Sequence, residues 1–239
     1  AGSDVIGSNF KISCPAGKYS TAAANGACTE ALAGYCSSID GTNCAQGTNT
    51  GAKSQLICPQ GKYAKSTSNT DCTAAVAGKC SSNDGGSTCI TNTGGTGLDG
   101  LGANDVKTCP PGSYSTAAAN TDCNQCAAGK YSSASGASNE STCQSAGSGS
   151  CASSDYTTCI GANTTGAITS ILCPEGTYSS GTENSVCTSA QEGYCTTTNN
   201  ISCIGEGNNQ ATGELICSAG FYSSGIGNSR CTQVPEGSC

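Results

Sequence analysis

The residues in this chain best placed to do chemistry are its cysteines, 21 among 239 residues, with no histidine anywhere to assist them. Thiols at fixed spacing can cross-link as disulfides, ligate a metal or exchange electrons. From Cys14 the spacing runs C-x13-C-x7-C-x7-C-x13, through Cys28, Cys36 and Cys44 to Cys58. It recurs unchanged from Cys173 through Cys187, Cys195 and Cys203 to Cys217. Between these, Cys58, Cys72, Cys80 and Cys89 keep the order but lengthen the last two gaps to 8 and 19 residues. Removing residues 124–143 restores the same spacing from Cys109 through Cys123, Cys151 and Cys159 to Cys173. A last copy runs Cys217, Cys231, Cys239. These gaps are too long for paired zinc knuckles, and no imidazole is present to complete a mixed site. Cys123 and Cys126 match a C-x-x-C redox pair, but they fall at a junction between copies with no βαβ pattern around them.

Disulfides are what the composition calls for. The chain has no Met, no Trp, two Phe and nine Tyr, and its 35% hydrophobic fraction is largely Ala and Cys. Such a chain has little apolar surface to bury, so cross-links must replace a conventional core. A bridge closing a loop of some 15 residues contributes about 3 kcal/mol in the chain-entropy model. This chemistry belongs to an oxidising compartment, so the expected location is extracellular, at the cell surface, in a mature form without its signal peptide. The net charge of −7 and nine scattered Lys and Arg argue against nucleic acid as a partner. Without histidine there is no Ser-His-Asp or Cys-His device, and the carboxylates are too scattered to form a dyad. Gly95-Thr96-Gly97-Leu98-Asp99-Gly100 fits a G-x-G-x-x-G string, but neither a strand pattern precedes it nor a helix pattern follows. No enzyme activity, no cofactor and no metal site is expected.

The elements that position the cysteines repeat with them. Each copy opens on a turn phrase: Cys14-Pro15-Ala16-Gly17-Lys18-Tyr19, Cys58-Pro59-Gln60-Gly61-Lys62-Tyr63, Cys109-Pro110-Pro111-Gly112-Ser113-Tyr114, Cys173-Pro174-Glu175-Gly176-Thr177-Tyr178 and Cys217-Ser218-Ala219-Gly220-Phe221-Tyr222. Proline fixes φ, glycine takes a positive φ, and the tyrosine then enters a short extended stretch where its ring can cover a disulfide. Three residues before each second cysteine stands an asparagine (Asn25, Asn69, Asn120, Asn184, Asn228), expected to take left-handed geometry at a tight return. Asp40-Gly41 and Asp84-Gly85 mark turns between third and fourth cysteines, so Cys36–Cys44 and Cys80–Cys89 are expected to be bridged hairpins.

Spacing leaves the connectivity open. Pairing first to second and third to fourth is the expectation, because residues 124–143 bring one self-contained extra pair with their own Cys126-Ala127-Ala128-Gly129-Lys130-Tyr131 phrase. The proposed bridges are Cys14–Cys28, Cys36–Cys44, Cys58–Cys72, Cys80–Cys89, Cys109–Cys123, Cys126–Cys143, Cys151–Cys159, Cys173–Cys187, Cys195–Cys203 and Cys217–Cys231. Cys239 is left over, free for an intermolecular bond or for a partner in sequence outside this chain. Three N-x-S/T sequons, at Asn139, Asn163 and Asn200, are candidate glycosylation sites.

The expected fold is therefore a series of small disulfide-rich repeats: an elongated rod, mostly loop, with short β-hairpins and negligible helix. Residues 1–13 match an inter-module segment, and the repeats span 14–57, 58–108, 109–172 (with the duplicated sub-module 124–143), 173–216 and, in part, 217–239. The C-P-x-G-x-Y phrase with its loop-closing cysteine resembles the cysteine-rich modules of tumour necrosis factor receptors and ephrin receptors. Over residues 14–239 the Ser/Thr/Ala-rich repeats with periodic cysteines resemble the surface immobilisation antigens of ciliates. That resemblance implies a protective, antigenic and glycosylated coat protein with a C-terminal glycolipid anchor, and Gly237 and Ser238 are small enough for anchor attachment. Its partners would be copies of itself in a surface layer, and the membrane only through that lipid. Two alternatives are a subunit of an extracellular filament joined head to tail through its end modules, and a ligand-binding receptor ectodomain.

Overall fold

Every C-x-x-G-x-Y turn among the described residues is followed at once by a two-residue strand, because the positive-φ glycine reverses the chain and its tyrosine enters extended backbone. The structure, a computed structural model, describes residues 12–22, 27–90 and 100–238. Asn25, most of the lead-in 1–13, Gly95 to Asp99 and Cys239 lie outside the described residues. The described residues form ten two-stranded sheets and one 3-10 turn, Glu140–Thr142. The expected class of small disulfide-rich repeats with short strands and almost no helix is what is found.

The chain divides into two units, the first holding Ala1–Cys109, Tyr114–Asn124 and Gly136–Asn139, the second Pro110–Ser113, Gln125–Ser135 and Glu140–Cys239. In the first, Lys18–Tyr19 pairs with Thr29–Glu30 and Lys62–Tyr63 with Thr73–Ala74, both antiparallel. Longer pairs join Tyr35–Ser38 to Ser54–Ile57 and Lys79–Ser82 to Asp105–Thr108. The second unit repeats the scheme. Its short pairs are Lys130–Tyr131 with Gln144–Ser145, Thr177–Tyr178 with Thr188–Ser189, and Phe221–Tyr222 with Thr232–Gln233. Its long pairs are Ser150–Ser153 with Thr169–Leu172 and Tyr194–Thr197 with Gly213–Ile216.

The long pairs correct one expectation. The strand carrying a third cysteine does not fold back on the fourth as a hairpin. Residues 39–43, inside the Cys36–Cys44 loop, are a run of bends, and the strand pairs instead with the segment leading to the next repeat. Asp40 gathers the N–H groups of Thr42 and Asn43, so residues 39–43 curl rather than extend. The loop returns only far enough for the Ala45 N–H to reach the Ser37 carbonyl, while Ser54–Ile57 supplies the ladder.

What is buried explains the composition. The core is Cys, Ala, Ser and Thr, joined by Ile90. Ala31, Ala75, Ala146 and Ala190 are wholly buried at equivalent positions, and Cys126 occupies that same position at the start of the inserted sub-module. Each of these five donates its N–H to the carbonyl of a turn glycine: Gly17, Gly61, Gly129, Gly176 and, for Cys126, Gly112. Ser37, Ser81, Ala152 and Thr196 follow the third cysteines and are likewise wholly buried. The hydroxyls of Ser37, Ser81 and Thr196 have no hydrogen-bond partner among the described residues, so this position accepts a small side chain with or without a hydroxyl, and Ala152 fills it in the third copy.

Candidate functional site

The repeated contact between one copy and the next is built from backbone. In the first unit the N–H of Ser68 donates to the carbonyl of Ala31 at 2.7 Å, and that of Ser37 donates to the carbonyl of Asn69 at 2.8 Å. The next junction repeats both, Ala119 to Ala75 at 2.7 Å and Ser81 to Asn120 at 2.9 Å. In the second unit the pairs are Glu183 to Ala146 with Ala152 to Asn184, both 2.8 Å, then Gly227 to Ala190 at 2.7 Å with Thr196 to Asn228 at 2.9 Å. A serine clasps three of these junctions twice. Ser115, Ser179 and Ser223 accept from the N–H of Gly78, Gly149 and Gly193, while their hydroxyls donate to the carbonyls of Lys79, Ser150 and Tyr194.

The loop that docks brings its backbone so close that only glycine fits opposite. A Cβ on Gly17 would lie 1.9 Å from the carbonyl oxygen of Ser68, on Gly61 1.8 Å from that of Ala119, and on Gly129 1.8 Å from that of Glu183. The docking residue carries the left-handed conformation: Ser68 (φ 61°), Ala119 (φ 63°), Glu183 (φ 62°) and Gly227 (φ 78°). This corrects the assignment of left-handed geometry to the asparagines. Asn69, Asn120, Asn184 and Asn228 instead donate a side-chain N–H to a carbonyl three residues back, of Ser66, Ala117, Gly181 and Gly225. The asparagine holds the turn while its neighbour takes the strained φ.

Disulfides sit in the same junctions. The structure joins Cys14 to Cys28, Cys36 to Cys44, Cys58 to Cys72, Cys80 to Cys89 and Cys109 to Cys123. It also joins Cys126 to Cys143, Cys151 to Cys159, Cys173 to Cys187, Cys195 to Cys203 and Cys217 to Cys231. Cys123 and Cys126 are thus bonded away from each other. Four times a third-to-fourth bridge rests on the first-to-second bridge of the following copy. Sγ···Sγ contacts are 3.9 Å for Cys44 and Cys72, 3.7 Å for Cys89 and Cys123, 3.6 Å for Cys159 and Cys187, and 3.7 Å for Cys203 and Cys231. Each stack holds three sulfurs within 4.8 Å of one another, a separation that would suit a thiophilic metal, but sulfurs bonded as disulfides offer it no thiolate.

Each bridged loop is capped from inside. Asp40 accepts the N–H groups of Thr42 and Asn43 at 2.8 Å, Asp84 those of Ser87 and Thr88, and Asp155 those of Thr157 and Thr158. These bonds hold all three carboxyls well below the usual carboxylate range. The leading causes are the Asn43 side chain for Asp40, the Ser82 hydroxyl for Asp84 and the Thr158 amide for Asp155. Asn199 does the same work without a charge, accepting from Ile201 and Ser202.

All three sequon asparagines are exposed. Asn139 precedes the 3-10 turn, while Asn163 (φ 61°) and Asn200 (φ 59°) occupy left-handed positions in turns. The last junction carries a feature that the sequence reading passed over. Ile201 (83% exposed), Ile216 (63%) and Phe221 (46%) surround a groove of about 210 Å³ with Leu215 and the Cys203 and Cys231 sulfurs. The equivalent groove at the first junction, about 360 Å³, is lined by Thr42, Asn43, Lys62 and Asp71 beside Leu56 and Ile57. Aligning the copies reveals the change: Phe221 stands where the others have Lys18, Lys62, Ser113 and Thr177, and Ile201 where they have Thr42 and Thr157.

Among known families, residues 95–143 match the model described as tyrosine-protein kinase ephrin type A/B receptor-like. The matched stretch covers the end of the second copy, the opening of the third and its inserted sub-module, less than half of the chain. No curated protein matches the sequence. The chain is thus a disulfide-bonded, cysteine-rich protein with an ephrin-receptor-like module, of the extracellular type. No helix among the described residues is long and apolar enough to cross a membrane.

Proposed function

We propose that this protein is a structural, non-catalytic component of an extracellular coat at the cell surface, similar to the immobilisation antigens of ciliates. The observation that carries this reading is the recurrence of one junction, with the same backbone bonds, left-handed docking residue and disulfide stack, at successive copies. A fold built by repetition, with ten bridges in place of an apolar core, is suited to endurance outside the cell. Nine Lys and Arg in 239 residues give trypsin-like proteases few points of attack, and exposed Asn139, Asn163 and Asn200 are available to glycan. The partners in such a layer are copies of the same chain, held to the membrane by a lipid anchor. The domains of this reading are the five copies beginning at Cys14, Cys58, Cys109, Cys173 and Cys217.

The apolar groove at Ile201, Ile216 and Phe221 favours a second reading, a filament subunit that associates through its end modules. A receptor ectodomain would use the same groove for its ligand. The intact mass of the native, unreduced protein, with its C-terminal peptide mapped, separates these readings. A monomer carrying glycolipid is expected for the coat. Cys239 bonded to a second chain, on a C-terminus free of lipid, would replace the coat with a covalent filament. A monomer with neither modification would overturn both and leave the receptor reading.

A further inference from the structure

The four disulfide stacks have a common asymmetry. Cys36, Cys80, Cys151 and Cys195 are wholly buried, whereas their bonded partners Cys44, Cys89, Cys159 and Cys203 are partly exposed. It is the partly exposed sulfur in each case that touches the bridge of the next copy, on Cys72, Cys123, Cys187 or Cys231. An external thiol can therefore reach only one sulfur of the third-to-fourth bridge, and that sulfur already lies in contact with a second disulfide.

We propose that each stack is a thiol-exchange site that converts cross-links within copies into a cross-link between them when it meets a dithiol reductant. At the first stack, one thiolate of the dithiol attacks Cys44 Sγ, forming a mixed disulfide and expelling the Cys36 thiolate. The second thiol of the reagent then closes on its own mixed-disulfide sulfur, leaving as a cyclic disulfide and freeing the Cys44 thiolate. That thiolate attacks Cys72 Sγ, 3.9 Å away, forms the Cys44–Cys72 bond and expels the Cys58 thiolate. Two electrons have passed from the dithiol, and its two protons end on Cys36 and Cys58. Both of these are wholly buried, so their thiols are held neutral and are poor nucleophiles for the return step. Reduction thus stops with consecutive copies covalently stapled. The second and third stacks offer the same route to Cys89–Cys123 and Cys159–Cys187, ending on wholly buried Cys80 with Cys109 and Cys151 with Cys173. The last stack leads to Cys203–Cys231, but its released Cys217 is partly exposed and lacks this block on the return step.

Cys14–Cys28 and Cys126–Cys143 rest on no second disulfide among the described residues and provide an internal control. The test is limited reduction of the native protein with dithiothreitol, acid quenching, alkylation after unfolding, and mapping of both labels and surviving bridges by mass spectrometry. The expected product carries label on Cys36 with Cys58, Cys80 with Cys109, Cys151 with Cys173, or Cys195 with Cys217. It should exceed the simply opened form by roughly tenfold or more, as an intramolecular attack predicts. The control bridges should open only to their own two thiols. Label in the original pairs, such as Cys36 with Cys44, overturns the proposal. So does the appearance of Cys28 or Cys143 in new bridges at the same frequency, since that would be indiscriminate scrambling.

Discussion

Gly61 and Gly220 occupy the same position of the same turn phrase, with φ of 73° and 83°, but only one of them meets a docking loop. Replacing either with alanine costs the left-handed penalty of about 1–2 kcal/mol for a residue with a Cβ. At Gly220 nothing lies within 4 Å of the added carbon, and the cost ends there. At Gly61 the added carbon would lie 1.8 Å from the carbonyl oxygen, 2.2 Å from the carbonyl carbon and 2.6 Å from the Cα of Ala119, all backbone atoms with no rotamer to escape into. The docking loop must withdraw, and the bonds from Ala119 N–H to Ala75 and from Ser81 N–H to Asn120 go with it. At about 0.5–1.5 kcal/mol each, these add roughly 1–3 kcal/mol to the effect of Gly61→Ala over that of Gly220→Ala. Because the disulfides suppress global unfolding, native-state hydrogen exchange is the suitable assay. The Ala119 and Ser81 amides should exchange roughly 5- to 150-fold faster in Gly61→Ala, with no comparable change at any junction in Gly220→Ala. Equal effects of the two substitutions would show that the close approach contributes nothing and that the junction is not what holds the copies together.

Two further outcomes follow from the junctions. Ser81→Ala removes a wholly buried hydroxyl that has no partner among the described residues, and Ala152 already occupies the equivalent place. It should therefore raise stability by about 1 kcal/mol, read as slower exchange of the Ile90 amide, and a loss of that size would mean the hydroxyl is bonded. The second concerns acid. The carboxyls of Asp40, Asp84 and Asp155 have folded-state pKa values below their unfolded ones, so their contribution is complete above the ordinary Asp range and is lost as pH falls through the depressed values. Amide shifts of Thr42, Ser87 and Thr157, followed by NMR, should hold through pH 4 (about the unperturbed Asp value) and move only in stronger acid. The Ile201 amide, capped by Asn199, should not move with them. A midpoint at the ordinary Asp value in the first three loops would refute the capping account.

The class of fold was legible because cysteine period and turn phrase are local signals: C-x-x-G followed by a tyrosine dictates a turn and a short strand wherever it occurs. Pairing across copies was not. Ser54–Ile57 carries no mark that assigns it to Tyr35–Ser38, and the Asp40-Gly41 turn pointed instead to a hairpin, where the Asp40 carboxylate in fact curls residues 39–43 into bends. The left-handed residue was assigned one position late, because Ser68, Ala119 and Glu183 have nothing in common as side chains. Their conformation is imposed by the glycine they dock against. The buried column of Ala31, Ala75, Ala146 and Ala190 escaped notice for a related reason, since alanine among serines gives no hydrophobic periodicity. The apolar groove was visible only at Phe221 and Ile201, two departures from the repeat that register once the copies are set in alignment.

The spacing of the stacks bears on how such a chain is made. Sulfurs that meet across a junction are 28 residues apart in sequence in three stacks and 34 in the other. As the polypeptide emerges into an oxidising lumen from its N-terminus, each new bridge needs only the most recent stretch of chain, and loop closure over such distances is inexpensive in entropy. A finished copy then presents the alanine carbonyl and the turn glycine on which the next loop settles, so each step of synthesis lays down the template for its successor. Oxidative maturation can therefore keep pace with translation. The number of possible cysteine pairings, which grows explosively with the whole set, is never faced at once, because only a handful of thiols are open at any moment.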